Sequence, residues 1–527
     1  MAKHPRPLHF RRARDVFSYL RVHPDLSSKE FSRVMAKLMC GFAPDVIAEA
    51  LMECFDDLAG PYGAQLLMLI DQLRTPSLAR ALHEWLLSEP DLPIELRLQA
   101  ITVLQRSGED TTDLIGVEES EAIAAHRETM VEDLLGVLAS QPEAMPSLLE
   151  GLSQVGPDRR AELIEDFMVH AEHPAMTDLA KYLAMSYDPV FAAGALKILG
   201  DIDSEQARSA IRQVARTHPL PVLRMRARQM IGAPGEAPAG PESLDGFVTM
   251  IDGRGSGGIV LTAKRNRRHV VAWFLCNAEV GVKDLVGHVG LTARDRDAVL
   301  RETLDLAEGL DVVGGATAMA EELLADALTQ CGPRTPLELS YWLDQTIGLN
   351  LLPRAFEPTL REWSLTEVPA AEYENGVWEI LWRLGCWFED GDLVYDQAEG
   401  LLEQQVSFDR LGPDHPACRE IISAVIRPKL PCYRRMLRWM AALWREQAVR
   451  EAAARSKSSD RGLFHVRVAM TIARDLEDPA RLDDGHAFLN CLARFSLFKA
   501  ARNLAAGVDL RDPDARRVAE GAGGFPG

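Results

Sequence analysis

From about residue 13 to residue 232 the apolar positions of the chain fall at helical spacing, in short runs broken by Pro, Gly and Asp. Thr75 precedes Pro76, a residue whose missing N–H costs nothing in the first turn of a helix, and Thr75 is suited to cap that turn. Leu78, Leu82, Trp85 and Leu86 then lie on one stripe. Ile47, Leu51, Cys54, Phe55 and Leu58 repeat this stripe after Pro44, and Ser27 with Glu30 has the spacing of a capping box. The pattern predicts a series of amphipathic helices.

The period changes after "GAPGEAPAGPES", a Gly/Pro/Ala stretch that reads as a linker over 233–245. "FVTMI", "GIVLTA" and "HVVAWFLC" are β-branched and aromatic runs separated by glycines and by "KRNRR". They predict a three-stranded antiparallel meander within 246–290. Helical spacing returns near Thr292 and continues to about 508, giving a second helical block over 291–508. That block holds Trp342, Trp363, Trp378, Trp382, Trp387, Trp439 and Trp444, read as large core side chains. Its last helix should bury Phe488, Leu492, Phe495 and Phe498. A basic segment, 1–24, and a tail, 509–527, flank these parts.

Self-similarity sharpens the picture of the first block. "PVFAAGALKILG" begins at Pro189 and "PVLRMRARQMIG" at Pro221, 32 residues on. Pro, Val, an inner alanine (Ala195, Ala227), an apolar pair and the closing Gly recur. Between them a second helix, about Ser204 to Thr217, turns Ala207, Ile211, Val214 and Ala215 inward. "PIELRLQAITVLQRSG" from Pro93 is a looser copy, with Ala100 and Leu104 at matching places. A helix pair of this length, with proline near its start and alanine at the crossing, resembles the HEAT/armadillo class of helical repeats. That resemblance covers 25–232 and implies a mainly α fold: an α-solenoid of antiparallel helix pairs, then the β-meander, then the second helical block. One pair cannot bury its apolar face alone, so such pairs stack.

Composition narrows the function classes. The chain has 527 residues, 47% hydrophobic and 26% charged, with a formal net charge of -20. An acidic balance argues against nucleic acid as partner. Two local exceptions stand out: Lys3, Arg6, Arg11, Arg12 and Arg14 at the start, and Arg254, Lys264, Arg265, Arg267 and Arg268 in a stretch without acids. The eight cysteines are scattered without a C-x-x-C pair, the usage of reduced thiols in a cytoplasmic protein. No apolar run is long enough for a membrane span.

Gly253, Gly255 and Gly258 form G-x-G-x-x-G, and Val260 extends the match to the glycine loop of protein kinases. A dinucleotide site needs a helix after the glycines, but "IVLTA" reads as a strand. A kinase needs lysine in V-A-x-K; here Val271, Ala272 and Trp273 lead to Phe274, and neither H-R-D nor D-F-G occurs. The stretch is therefore read as hairpin turns, with no nucleotide and no cofactor expected. His170 and His173 before Pro174 read as helix-end histidines rather than metal ligands. Asp414, His415 and Cys418 read as a cap and helix start, and Glu118, Glu119 and Glu121 as a solvated connector.

No catalytic residue is expected. The reading that results is a non-catalytic protein–protein interaction or scaffold protein whose partners are other proteins. Lys264, Arg265, Arg267 and Arg268, crowded at a hairpin tip, are the candidate contact for an acidic partner surface. Two other readings stay open: an enzyme on a helical-repeat scaffold, of DNA-glycosylase or lyase type, and a nucleic-acid or phosphate binder acting through residues 264–268.

Overall fold

The computed structural model describes residues 12–22, 34–53 except 36 and 40, 63–111 except 74, 90 and 91, residue 114, residues 117–231, 241–305 except 266, 311–512 except 384–386, 409, 410, 413, 454–458 and 484, and residue 515. Several sequence expectations lie outside the described residues: Lys3, Arg6, Arg11, the Ser27–Glu30 box, Cys40, Cys54, Phe55, Leu58, linker positions 232–240, Asn266, Cys386 and the tail from 516. So do the side chains of Glu118, Glu119, Glu121 and Trp382.

The protein is mainly helical, 65% helix, with a small antiparallel sheet of five strands. It forms two compact units, Met1–Asp133 and Leu134–Gly527.

The first unit contains α1 (Ala13–Val22), α2 (Pro44–Met52), α3 (Gly63–Leu73), α4 (Pro76–Ser88) and α5 (Ile94–Arg106). In α4 the Thr75 hydroxyl accepts the Leu78 N–H at 3.4 Å, and Leu78, Leu82, Trp85 and Leu86 are all buried. They join Ile47 and Leu51 of α2 and Ala100 and Leu104 of α5 in one apolar core. Burying each such leucine contributes roughly 2 kcal/mol, which is how short helices become stable.

The division between units falls inside α6 (Val117–Ser140), not at the Gly/Pro/Ala stretch. In the second unit α7 (Met145–Ser153), α8 (Pro157–Val169), α9 (Met176–Ala184), α10 (Pro189–Asp201), α11 (Glu205–Thr217) and α12 (Pro221–Ile231) precede the sheet. Asp188 caps α10 by accepting from Val190 and Phe191 N–H, and Ser204 caps α11 by accepting from Ala207 N–H. Ala195, Ala227, Ala207, Ile211, Val214 and Ala215 are buried as the repeat predicts. These helices belong with the later helical block because polar groups join the two. Ser340 donates to Tyr182 O at 2.9 Å, Gln213 donates to Leu349 O at 2.6 Å, and Lys181 pairs with Asp344 at 2.6 Å.

His218, just after α11, is fully buried. Its Nδ1 accepts the Leu220 N–H at 3.0 Å, which leaves Nε2 to donate to Ser186 O at 3.1 Å. That pairing needs the neutral ring, and burial pulls its pKa from 6.5 down to about 4. Because the folded pKa lies below the unfolded one, the contribution is complete above 6.5 and is lost as pH falls toward 4. The shift corresponds to about 3 kcal/mol. Urea midpoints followed from pH 7 to pH 4 should fall more steeply for the native chain than for His218→Gln. Equal slopes would refute this role.

The sheet has the order β4-β3-β2-β1-β5, built from β1 (Ser243–Thr249), β2 (Ser256–Arg265), β3 (Arg268–Asn277), β4 (Gly281–Leu291) and β5 (Val312–Val313). The three-stranded meander is thus corrected. β4 pairs antiparallel with β3 from Gly281–Asn277 to Leu291–His269, and its sequence hides this. Lys283, Asp284, His288 and three glycines interrupt its apolar alternation, the composition of an edge strand that resists further pairing. β1 also begins at Ser243, inside the stretch read as linker. β2 is buried on both faces from Gly257 to Ala263.

α13 (Ala293–Asp305) packs on β3 and β4, and α14 (Thr317–Ala327) packs chiefly on β1. Then come α15 (Leu339–Gln345), α16 (Ala370–Arg383), α17 (Asp392–Glu403), α18 (Pro416–Ile421), α19 (Leu430–Ala453), α20 (Ser459–Asp475) and α21 (Ala487–Ala505). Trp342, Trp387, Trp439 and Trp444 are core residues. Phe488, Leu492 and Phe495 are buried, but Phe498 is 41% exposed, its ring edge-to-face with Phe408. Position 498 follows 495 by three residues and lands at the margin of the stripe.

Candidate functional site

The glycine stretch resolves into turn chemistry. Asp252 Oδ1 accepts from the N–H groups of Arg254 and Ser256 at 2.9 and 2.8 Å, and Gly255 follows at a φ of 80°. Gly258 sits where a Cβ would lie 2.5 Å from Trp273 Nε1, so the indole of the neighbouring strand requires glycine there. Phe274, at the position of a kinase lysine, is fully buried in β3. These residues make a tight sheet rather than a phosphate cradle.

β2 and β3 stay paired to the tip, Lys264 with His269 and Arg265 with Arg268, which leaves a two-residue turn. Arg267 occupies that turn at a φ of 64°, the positive value that primed hairpin turns use. The four basic residues are not equivalent. Lys264 pairs with Glu242 at 3.2 Å, and Arg265 Nε donates to Gln345 O at 3.2 Å. Arg268 donates to Gly290 O at 3.5 Å, a long contact. Arg267 is exposed and makes no ion pair among the described residues.

Gln345 and Gly290 also line a cleft of about 520 Å³, so the basic tip stands at its rim. The floor is formed by Tyr182 of α9 and Tyr341 of α15, edge to face with centroids 5.2 Å apart, together with Glu143 and Asp178. Tyr182 Oη donates to Asp344 at 3.0 Å, and Lys181 Nζ lies 4.8 Å from the Tyr182 ring centroid. Burial, with Asp344 and Glu143 nearby, pushes the Tyr341 phenol up to about 12. Burial, reinforced by the same Asp344, raises Tyr182 further. Both phenols therefore remain protonated at neutral pH, and Tyr182 acts as a donor to Asp344. They are unsuited to general-base work. The surface offers aromatic faces and carboxylates in the cleft and cations at its edge.

The other clusters take structural roles. His170 follows the last residue of α8, and His173 Nδ1 accepts the Ala175 N–H at 3.2 Å. Among the described residues no group of three or more His, Cys, Asp or Glu could hold a metal ion. The His415 side chain caps α18 by accepting from Ala417 N–H, and Asp414 pairs with Arg419 at 2.6 Å. Cys418 is buried and its thiol is pushed up by that burial, the opposite of an activated nucleophile. Cys276, Cys331, Cys418, Cys432 and Cys491 are free thiols.

The Tyr182–Tyr341–Asp344 group escapes sequence reasoning because its members are about 160 positions apart and no local signal joins them. No helix among the described residues is long and apolar enough to cross a membrane. Comparison of the chain with protein-family models, with curated proteins and with solved structures finds no match. What the fold and the site define is thus a class only: a mainly helical protein with a five-stranded antiparallel sheet and a basic hairpin beside an aromatic cleft.

Proposed function

We propose that this chain is a non-catalytic protein–protein interaction protein built on HEAT-like helix pairs and acting in the cytoplasm on other proteins. The observation that carries this reading is a repeated exposed apolar position. Val190 and Val222 occupy the same place in the two copies of the repeated segment and are 39% and 67% exposed. Met225, one turn beyond Val222, is 57% exposed. Apolar side chains held outward at repeat spacing are poorly explained by stability and well explained by a partner. Methionine adapts to varied partner shapes. α9, α10 and α11 each pack against the next helix, and α9 and α10 also against the next but one, a layering that suits stacked pairs.

The test is photo-crosslinking from positions 222 and 225 in cells, with the captured proteins then measured for direct binding. Val222→Asp with Met225→Asp should weaken that binding by about tenfold or more, as interface anchors do, and leave the circular dichroism spectrum unchanged. Equal binding by the double variant would refute the reading.

The basic tip is proposed as a second contact, for an acidic part of the same partner. Changing Lys264, Arg265, Arg267 and Arg268 together to Ser should cost only about 1 kcal/mol of stability, since these contacts are largely at the surface. Partner binding at low salt should weaken, and the difference should shrink as salt screens it. A loss that persists undiminished at high salt would contradict an electrostatic contact.

A further inference from the structure

Away from that surface, residues 357–367 form a strap across α19 and α20, held at both ends by ion pairs. At one end Glu357 pairs with Arg434 at 3.4 Å and Arg438 at 3.2 Å, both on α19. At the other, Glu367 pairs with Arg474 of α20. Between these anchors the chain arches over a cavity of about 700 Å³, within the range of small-molecule sites.

The arch is rigid by construction. Thr359 and Glu362 form a reciprocal capping box: Glu362 Oε2 accepts the Thr359 N–H at 2.8 Å, and Thr359 Oγ1 accepts the Glu362 N–H at 3.2 Å. The turn is closed by Leu365 N–H donating to Leu360 O at 2.8 Å, with Ser364 at a φ of 56°. A non-glycine residue held at positive φ is strain that the surroundings must enforce. Trp363 is in turn held under Arg445, 5.2 Å from the ring centroid. The cavity wall is therefore preorganised.

We infer that this cavity binds a small apolar molecule bearing one carboxylate. Leu360 and Leu365 of the strap face Met470 and Ala473 of α20 across an apolar interior. The charged residues of the lining are Arg361, Arg438, Arg474, Glu367 and Glu477. Arg438 is committed to Glu357 and Glu477, and Arg474 to Glu367 and Asp475. Arg361 forms no ion pair among the described residues and is the lining cation left to meet an anionic ligand. The Nε–H groups of Arg438 and Arg474 are also buried without an acceptor among the described residues. An anionic head paired with Arg361 and an apolar body against Leu365, Met470 and Ala473 satisfy both features.

The experiment compares octanoate, octanol and octylamine by titration calorimetry against the full chain. Octanoate should bind saturably and raise the thermal midpoint, octanol about tenfold more weakly, and octylamine not measurably. Arg361→Gln alters an exposed side chain and should lower octanoate affinity to that of octanol without changing the unfolding midpoint. Ala473→Leu, which fills the floor, should weaken octanoate and octanol together. The inference is overturned if octanoate fails to bind, if octanol matches it, or if Arg361→Gln leaves octanoate binding unchanged.

Discussion

Replacing Asp326 by alanine should remove about 3–5 kcal/mol of stability, the cost of breaking a buried charge pair on one side. Asp326 is 2% exposed at the end of α14, and both of its oxygens are used. Oδ1 accepts the Phe356 N–H at 2.9 Å. Oδ2 accepts from Arg435 Nε at 3.0 Å and from Trp439 Nε1 at 2.7 Å. Alanine leaves a largely buried guanidinium and an indole N–H without their acceptor. Asparagine should rescue little, because its amide group turned toward Arg435 and Trp439 meets donors with a donor. Turned the other way, it meets the Phe356 N–H. The check is the urea midpoint at unchanged slope for native, Asp326→Ala and Asp326→Asn chains. A loss below about 1 kcal/mol, the scale of an exposed pair, would refute the assignment.

Gly281→Ala should cost about 3 kcal/mol or more. Gly281 opens β4 at a φ of 83°, which carries a penalty of about 1–2 kcal/mol for any L side chain. A Cβ there would also lie 2.7 Å from Ala327 O and 2.8 Å from Cys331 N, backbone atoms that cannot swing aside. Such overpacking adds about 1–3 kcal/mol. Gly290, near the other end of the same strand, separates the two contributions. Its φ is 71°, yet a Cβ would meet nothing within 4 Å. Gly290→Ala should therefore cost only the conformational part, about 1–2 kcal/mol. Equal losses for the two variants would show that the close approach at Gly281 contributes nothing.

The parts of the fold that are legible in the sequence are those governed by neighbours along the chain. Thr75–Pro76 announces a helix start, the Leu78–Leu86 stripe its buried face, and the repeated segment at Pro189 and Pro221 its two matching helices. β4 escapes notice because an edge strand carries charges and glycines where a central strand carries valine. The division into two units is not legible in the sequence for a different reason. Proline and glycine mark where the chain turns, but Gln213–Leu349 and Tyr182–Asp344 decide which pieces stay together. At the hairpin, counting charges identifies the tip but not that Arg265 and Arg268 turn back onto carbonyls. The strap does carry a local signal, the Thr359–Glu362 spacing, but its anchors at Arg438 and Arg474 lie about 80 to 110 positions away. Its cavity is a product of tertiary structure alone.

The bonds that join α9 to α15, and α11 to Leu349 just beyond it, also set an order of events during synthesis. Lys181 and Tyr182 wait for Asp344, which leaves the ribosome about 160 residues later. At about 5–20 residues per second that interval is roughly 10–30 s, long compared with helix formation. Through it the early helices stand with Tyr182, Gln213 and their surrounding apolar faces uncovered, open to association with other nascent chains. A ribosome stalled before residue 340 should therefore present a protease-sensitive, chaperone-bound intermediate, and protection should arrive abruptly once α15 emerges. The early helices are then covered only as fast as the middle third of the chain is made.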